Sequence, residues 1–116
     1  HGRQTRTFCY ITDAITGFLK VLIETEKPDV YNVGNPEPEL DMATLAKLFS
    51  EISKSSEGFE LVKYPSSYPE DEPNRRCPNI NKISTELGYK PKVNLNDGLA
   101  RFISWSQANY TDELTN

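Results

Sequence analysis

Apolar residues fall along this chain in two kinds of pattern, short runs of β-branched and aromatic side chains and longer runs with helical spacing. Thr7 to Ile11 is of the first kind and reads as a short strand. Thr12 or Asp13 then caps a helix in which Ile15, Phe18, Leu19, Leu22 and Ile23 share one face, ending near Lys27 before Pro28. Val30 to Val33 reads as a second strand, closed by Gly34-Asn35-Pro36, where glycine permits a tight turn and proline forbids a helix. Asp41 is the expected N-cap of a second helix with Leu45, Leu48, Phe49 and Ile52 as its buried stripe, ended by Ser55 to Gly58.

Phe59 to Tyr64 alternates as a third strand would, and the pattern then dissolves into a polar loop, Pro65 to Pro73, rich in proline and acid. Asn79 or Asn81 opens a short helix with Ile80, Ile83 and Leu87 on one side, and Gly88 stands where a left-handed C-cap residue belongs. Pro91 bars continuation. Asn94 with Asp97 three residues on resembles a capping box and starts a last helix that carries Leu95, Leu99, Phe102, Ile103 and Tyr110 inward. Residues 111–116 are polar and expected to fray.

Composition narrows the function classes. The 116 residues make one domain, 1–116, large enough to bury roughly two-thirds of the surface of its unfolded chain. No apolar run approaches the roughly 20 residues of a membrane span, so no membrane contact is expected. A net charge of -4 gives no general attraction for nucleic acid, although local arginine clusters can still bind phosphate. Cys9 and Cys77 are too few for a disulfide scaffold, and His1 alone cannot complete a zinc set, so a reduced, metal-free protein is expected. A chain opening His1-Gly2-Arg3-Gln4, with neither initiator methionine nor apolar signal segment, reads as a piece of something longer.

The candidate chemistry lies in arginines set beside short apolar or turn-forming segments: Arg6 within Gln4 to Asp13, and Arg75 and Arg76 after Glu70-Asp71-Glu72-Pro73-Asn74. A planar guanidinium donates paired hydrogen bonds to phosphate oxygens when a strand or loop fixes it. No catalytic set accompanies them. The six glycines form no glycine-rich dinucleotide loop, none of the six tyrosines has lysine four residues on, and no histidine stands ready to activate Cys9 or Cys77, which read as packing residues. The acidic loop reads as solvated charge, and Trp105 and the tyrosines as core or interface.

Four motifs together carry a resemblance: Gln4-Thr5-Arg6-Thr7-Phe8-Cys9-Tyr10-Ile11-Thr12-Asp13, Tyr31-Asn32-Val33-Gly34-Asn35-Pro36-Glu37, Asp71 to Ile80, and Leu87-Gly88-Tyr89-Lys90-Pro91-Lys92-Val93 followed by Gly98-Leu99. In order and spacing they resemble the C-terminal part of the extended short-chain dehydrogenases that act on nucleotide sugars, and within that superfamily most of all the UDP-glucuronic acid decarboxylase (UDP-xylose synthase) family. The dTDP-glucose 4,6-dehydratases and the 4-epimerases share this half. The resemblance implies an α/β fold of about four helices with short strands, the small substrate-binding subdomain of an NAD-dependent epimerase/dehydratase without its Rossmann domain. It implies a UDP-sugar as ligand, with Arg6 and either Arg75 or Arg76 on the diphosphate or ribose and Gln4 and Thr5 lining the approach. It implies NAD bound by the absent domain, and conversion of UDP-glucuronate to UDP-xylose through a 4-keto intermediate. It also implies a parent homodimer in the cytoplasm, or in the Golgi lumen for anchored forms, with the chain alone inactive. Asp41 stands where relatives place Thr or Asn, and Asn79 where Asp is usual, changes that affect caps. A second reading, of another class, is a stand-alone binding or interaction module. An independent module should bury all its apolar faces, whereas a severed subdomain should leave one exposed.

Overall fold

A computed structural model describes residues 2–54, 56, 58–67, 69 and 71–110. In chain order these form β1 (Thr5–Arg6), α1 (Ile11–Glu24), β2 (Leu40–Asp41), α2 (Met42–Ser53), β3 (Arg75–Arg76), α3 (Asn81–Leu87) and α4 (Leu95–Asn109). The three strands make one small sheet in the order β2-β1-β3. β1 lies antiparallel to β2, with Thr5 opposite Asp41 and Arg6 opposite Leu40. It lies parallel to β3, with Thr5 opposite Arg75 and Arg6 opposite Arg76. Backbone hydrogen bonds extend this junction on both sides, from Thr5 N to Asn74 O (2.8 Å) and from Met42 N to Gln4 O (3.2 Å).

The four helices stand close to their expected places, and the strands do not. The first strand lies at Thr5–Arg6 rather than Thr7–Ile11, and Ile11 is already helical. Residues 30–33 and 59–64 form no ladder among the described residues. β-propensity marks these segments as extended, but a strand exists only where a neighbouring edge offers its hydrogen bonds, and β1 already has a neighbour on each side.

Caps explain the helix boundaries. Asp41 Oδ1 accepts from Thr44 N (2.7 Å), which starts α2 as expected and holds the carboxyl below its ordinary range. Asn94 Oδ1 accepts from Asp97 N (2.9 Å), while the return bond runs from the Asn94 side-chain amide to Asp97 Oδ2 (2.8 Å) instead of from a backbone amide. Gly88 has φ +61, the left-handed cap that ends α3. The expected cap of α1 is a correction. Tyr10 is its N-cap, without a side-chain bond, and Asp13 lies inside the first turn. The Asp13 carboxylate is buried and accepts from the backbone amides of Lys92 and Val93, each at 2.9 Å, so it ties α1 to the segment that leads into α4.

The core is small. Ile83, Leu87 and Tyr89 are buried together, with Val21, Tyr31, Val33 and Ile80 packed against them. Tyr89 donates to Gly34 O (3.1 Å), and burial pushes its phenol above the ordinary value. Gly17 makes this packing possible: a Cβ there would come within 2.4 Å of Val33 Cγ1 and 3.1 Å of Tyr89.

The core is entered by the unexpected side of α1. Asp13 and Gly17 are its buried residues, whereas Phe18 and Leu22, on the apolar stripe, are 60% and 77% exposed. The expected inward placement of other stripes holds only in part. Leu45, Leu48 and Ile52 of α2 are half-buried and Phe49 is exposed; in α4, Ile103 is buried while Phe102, Trp105 and Tyr110 form an exposed aromatic cluster. The residues expected to fray, 111–116, lie outside the described residues.

Dimensions agree with this partial cover. The radius of gyration is 17.2 Å, against about 13 Å for a compact domain of this length. The accessible surface is 8999 Å², against about 6400 Å² for a folded monomer of this size. No described helix is long and apolar enough to cross a membrane.

Candidate functional site

The sheet brings the arginines together. Side chains alternate across a strand, so register alone sends Thr5 and Arg75 to one side of the sheet and Arg6 and Arg76 to the other. The contacts follow this division. Arg75 grips Glu39 with two nitrogens (Nε to Oε1 2.9 Å, Nη2 to Oε2 2.7 Å), and Thr5 donates its hydroxyl to the same carboxylate at 2.6 Å. Arg75 and Thr5 together hold the Glu39 carboxyl below the ordinary carboxylate range, and Glu39 in turn pushes the Arg75 guanidinium up.

On the other side, one carboxylate joins two guanidinia. Arg6 Nη2 donates to Glu72 Oε1 and Arg76 Nη2 to Glu72 Oε2, each at 2.9 Å. Arg6 is the more enclosed, its side chain 16% exposed against 58% for Arg76, and a second bond from Nη1 to Thr5 O (2.8 Å) fixes its orientation. Beside the sheet edge formed by β3 lies an open groove of about 500 Å³, lined by Thr7, Cys9, Gly34, Asn35, Arg75 and Arg76 among others. Arg76 is thus common to the groove and to the pair with Arg6.

Among the residues expected at the site, Arg6 and Arg76 converge, while Arg75 and Thr5 are drawn to Glu39. Gln4 contributes its backbone carbonyl to the junction with α2. Cys9 and Cys77 are half-buried and unpaired, their sulfurs 3.6 Å from Tyr89 Oη and Pro36 O. Sequence reasoning missed the counter-ions. Glu39 attracted no attention, and Glu72 was read as solvated charge, whereas both accept from arginine. The signal for Glu72 was the nearness of a carboxylate to an arginine pair in one loop; Glu39, 36 residues from Arg75, gave none. No group of three or more His, Cys, Asp or Glu residues among the described residues is placed to hold a metal ion.

The chain has relatives among known proteins. The chain is similar to UDP-glucuronic acid decarboxylase 6 of Arabidopsis thaliana, 37% identical over 98 residues that cover 84% of this chain and 27% of the relative. It superimposes with a TM-score of 0.79 and 34% identity on a variant of UDP-glucuronic acid 4-epimerase from Bacillus cereus, solved with UDP-4-deoxy-4-fluoro-glucuronic acid and NAD, over 94% of this chain and 34% of that one. The chain is a homologue of the C-terminal portion of nucleotide-sugar decarboxylases and epimerases. This nucleotide-sugar enzyme homologue is also 33% identical over 113 residues to dTDP-D-glucose 4,6-dehydratase of Mus musculus, covering 94% of the chain and 31% of the relative. It therefore spans about a third of the relatives it matches, or less. No family model matches it. The expected fold, an α/β unit of four helices with short strands matching the C-terminal portion of such enzymes, is the one observed.

Proposed function

We propose that this chain is the nucleotide-sugar-binding part of a UDP-glucuronate decarboxylase, in which Arg6 and Arg76 grip the diphosphate of a UDP-sugar. One observation carries the reading: two arginines from segments far apart in the chain stand opposite each other on adjacent parallel strands and aim their guanidinia at the same point. Two planar donors fixed by backbone pairing suit the adjacent phosphoryl groups of a diphosphate, and a partly enclosed site strengthens the charge-assisted bonds. The neighbouring groove along β3 offers room for the rest of the nucleotide. Arg75, drawn to the other side by Glu39, is the less suited of the pair.

The parent enzyme converts UDP-glucuronate to UDP-xylose through a 4-keto intermediate and uses NAD for the redox steps, as the NAD-bound structure neighbours support. Nothing in this chain fits NAD, since no glycine-rich turn is available for its pyrophosphate. The residues here bind and orient the substrate, and the chain alone is inactive. The uncovered apolar face of α1 favours a subdomain of a larger protein, with a homodimeric parent, over a stand-alone module. The two unpaired cysteines suit the cytoplasm.

Calorimetric titration with UDP, UDP-xylose and dTDP, beside Arg6→Ala, tests this. UDP-selective binding that falls about tenfold or more in the variant is expected. Preference for dTDP would favour a dTDP-glucose 4,6-dehydratase, and UDP binding untouched by Arg6→Ala would remove the arginine from the site.

A further inference from the structure

Glu72 occupies the point on which the two arginines converge. Its carboxylate meets Arg6 and Arg76 through separate oxygens at equal distance, the bridging arrangement that two phosphate oxygens would make. Arg6 does not need Glu72 to stay in place, because its other terminal nitrogen is bonded to Thr5 O. Arg75 does not take over either bond, since register sends it to the other side of the sheet, where its Nε and Nη2 grip Glu39. Glu72 itself belongs to the polar loop, where its amide donates to Pro69 O (3.3 Å), so its side chain can swing away by rotation while the turn holds. Two positive charges face one negative charge at this point. An incoming diphosphate brings more charge than the carboxylate it replaces, and a weak single carboxylate cannot do so.

We propose that Glu72 is a built-in counter-ion of the anion site: it bridges and partly neutralises Arg6 and Arg76 when the site is empty and must be expelled for a diphosphate to bind. The proposal rests on the nucleotide-sugar reading only for the identity of the anion. Its consequence is selectivity by charge. Monovalent anions, carboxylates included, are refused because they gain nothing over the resident group, and diphosphates are admitted at reduced affinity.

The test compares the unmodified 116-residue chain with Glu72→Gln, an isosteric change on a loop, and with Glu86→Gln as a charge-matched control in α3, where Glu86 accepts from the Tyr31 hydroxyl and bonds none of the three arginines. Each is titrated with UDP and with inorganic pyrophosphate while the Arg6 and Arg76 Nε–Hε and the Glu72 carboxyl resonances are followed by NMR. Pyrophosphate and UDP should each bind Glu72→Gln about fivefold more tightly than the unmodified chain, and Glu86→Gln should match the unmodified chain. In the unmodified chain the Glu72 carboxyl resonance should move with the same midpoint as the arginine signals. Tightening with pyrophosphate but no binding of UDP would sustain the counter-ion and sink the nucleotide reading. UDP bound equally by both chains, with the Glu72 signal still, would sustain the nucleotide and overturn the counter-ion. Binding of neither anion to Glu72→Gln would overturn both.

Discussion

The sheet corner and the outer face of α1 stand in opposite states. At the corner every described arginine of the site has a carboxylate partner, two of them sharing one. On the outer face of α1, Ile11, Ile15, Phe18, Leu19, Leu22 and Ile23 are each between 47% and 77% exposed. Polar groups left without partners cost more than apolar groups left wet, so a chain satisfies its charges locally and can leave an apolar stripe for a later neighbour. The contrast teaches which parts of this fold are finished. The polar groups of the arginine corner are satisfied within the chain; the helix face is left uncovered by it.

The strongest way to break this contrast is to attack the inner side of α1. Asp13→Ala should cost about 1 to 3 kcal/mol in urea denaturation, because it removes the partner of two part-buried backbone amides, Lys92 N and Val93 N. A loss under about 0.5 kcal/mol would mean that the inner side of α1 is no better anchored than the outer.

A moderate effect is expected at the corner under acid. Arg75 and Thr5 hold the Glu39 carboxyl below its ordinary value of 4.5, so the contribution of the pair is fully present above that value and fades as pH falls through the depressed one. Carbon-detected NMR should show Glu39 titrating below an ordinary glutamate, and Arg75→Ala should return it upward. An unchanged midpoint in that variant would show that Arg75 is not the cause.

The smallest effect belongs to the outer face. Leu22→Lys should leave the stability of the chain unchanged within about 0.5 kcal/mol and reduce its self-association in sedimentation experiments. A loss as large as that of Asp13→Ala would prove the stripe covered within this chain and dissolve the contrast altogether.

What could be read from the sequence follows the range of the forces involved. Helices and their ends were legible because periodicity, Asp41, Asn94 and Gly88 act within a few residues. The side of α1 that faces the core was not: apolar spacing tells which face is greasy, and the neighbours of Asp13 and Gly17, at Lys92, Val93 and Tyr89, lie more than seventy residues away. The strands failed for the same reason, since Thr5–Arg6 is a strand by virtue of residues 40–41 and 75–76 rather than by its own propensity. At the site, the motifs and their resemblance pointed to the arginines, but which of Arg75 and Arg76 stands opposite Arg6 needed the register. The carboxylates that answer them needed coordinates.

The parallel pairing of β1 with β3 also bears on time. Arg6 and its carboxylate partner are 66 residues apart, so the corner closes a long loop before it gains any contact, a step that topology makes slow. α1 and α2 can coil while residues 75–76 are still searching. The arginine corner is therefore expected to be among the last features to assemble during folding, and its closure reports that the whole intervening chain has found its place.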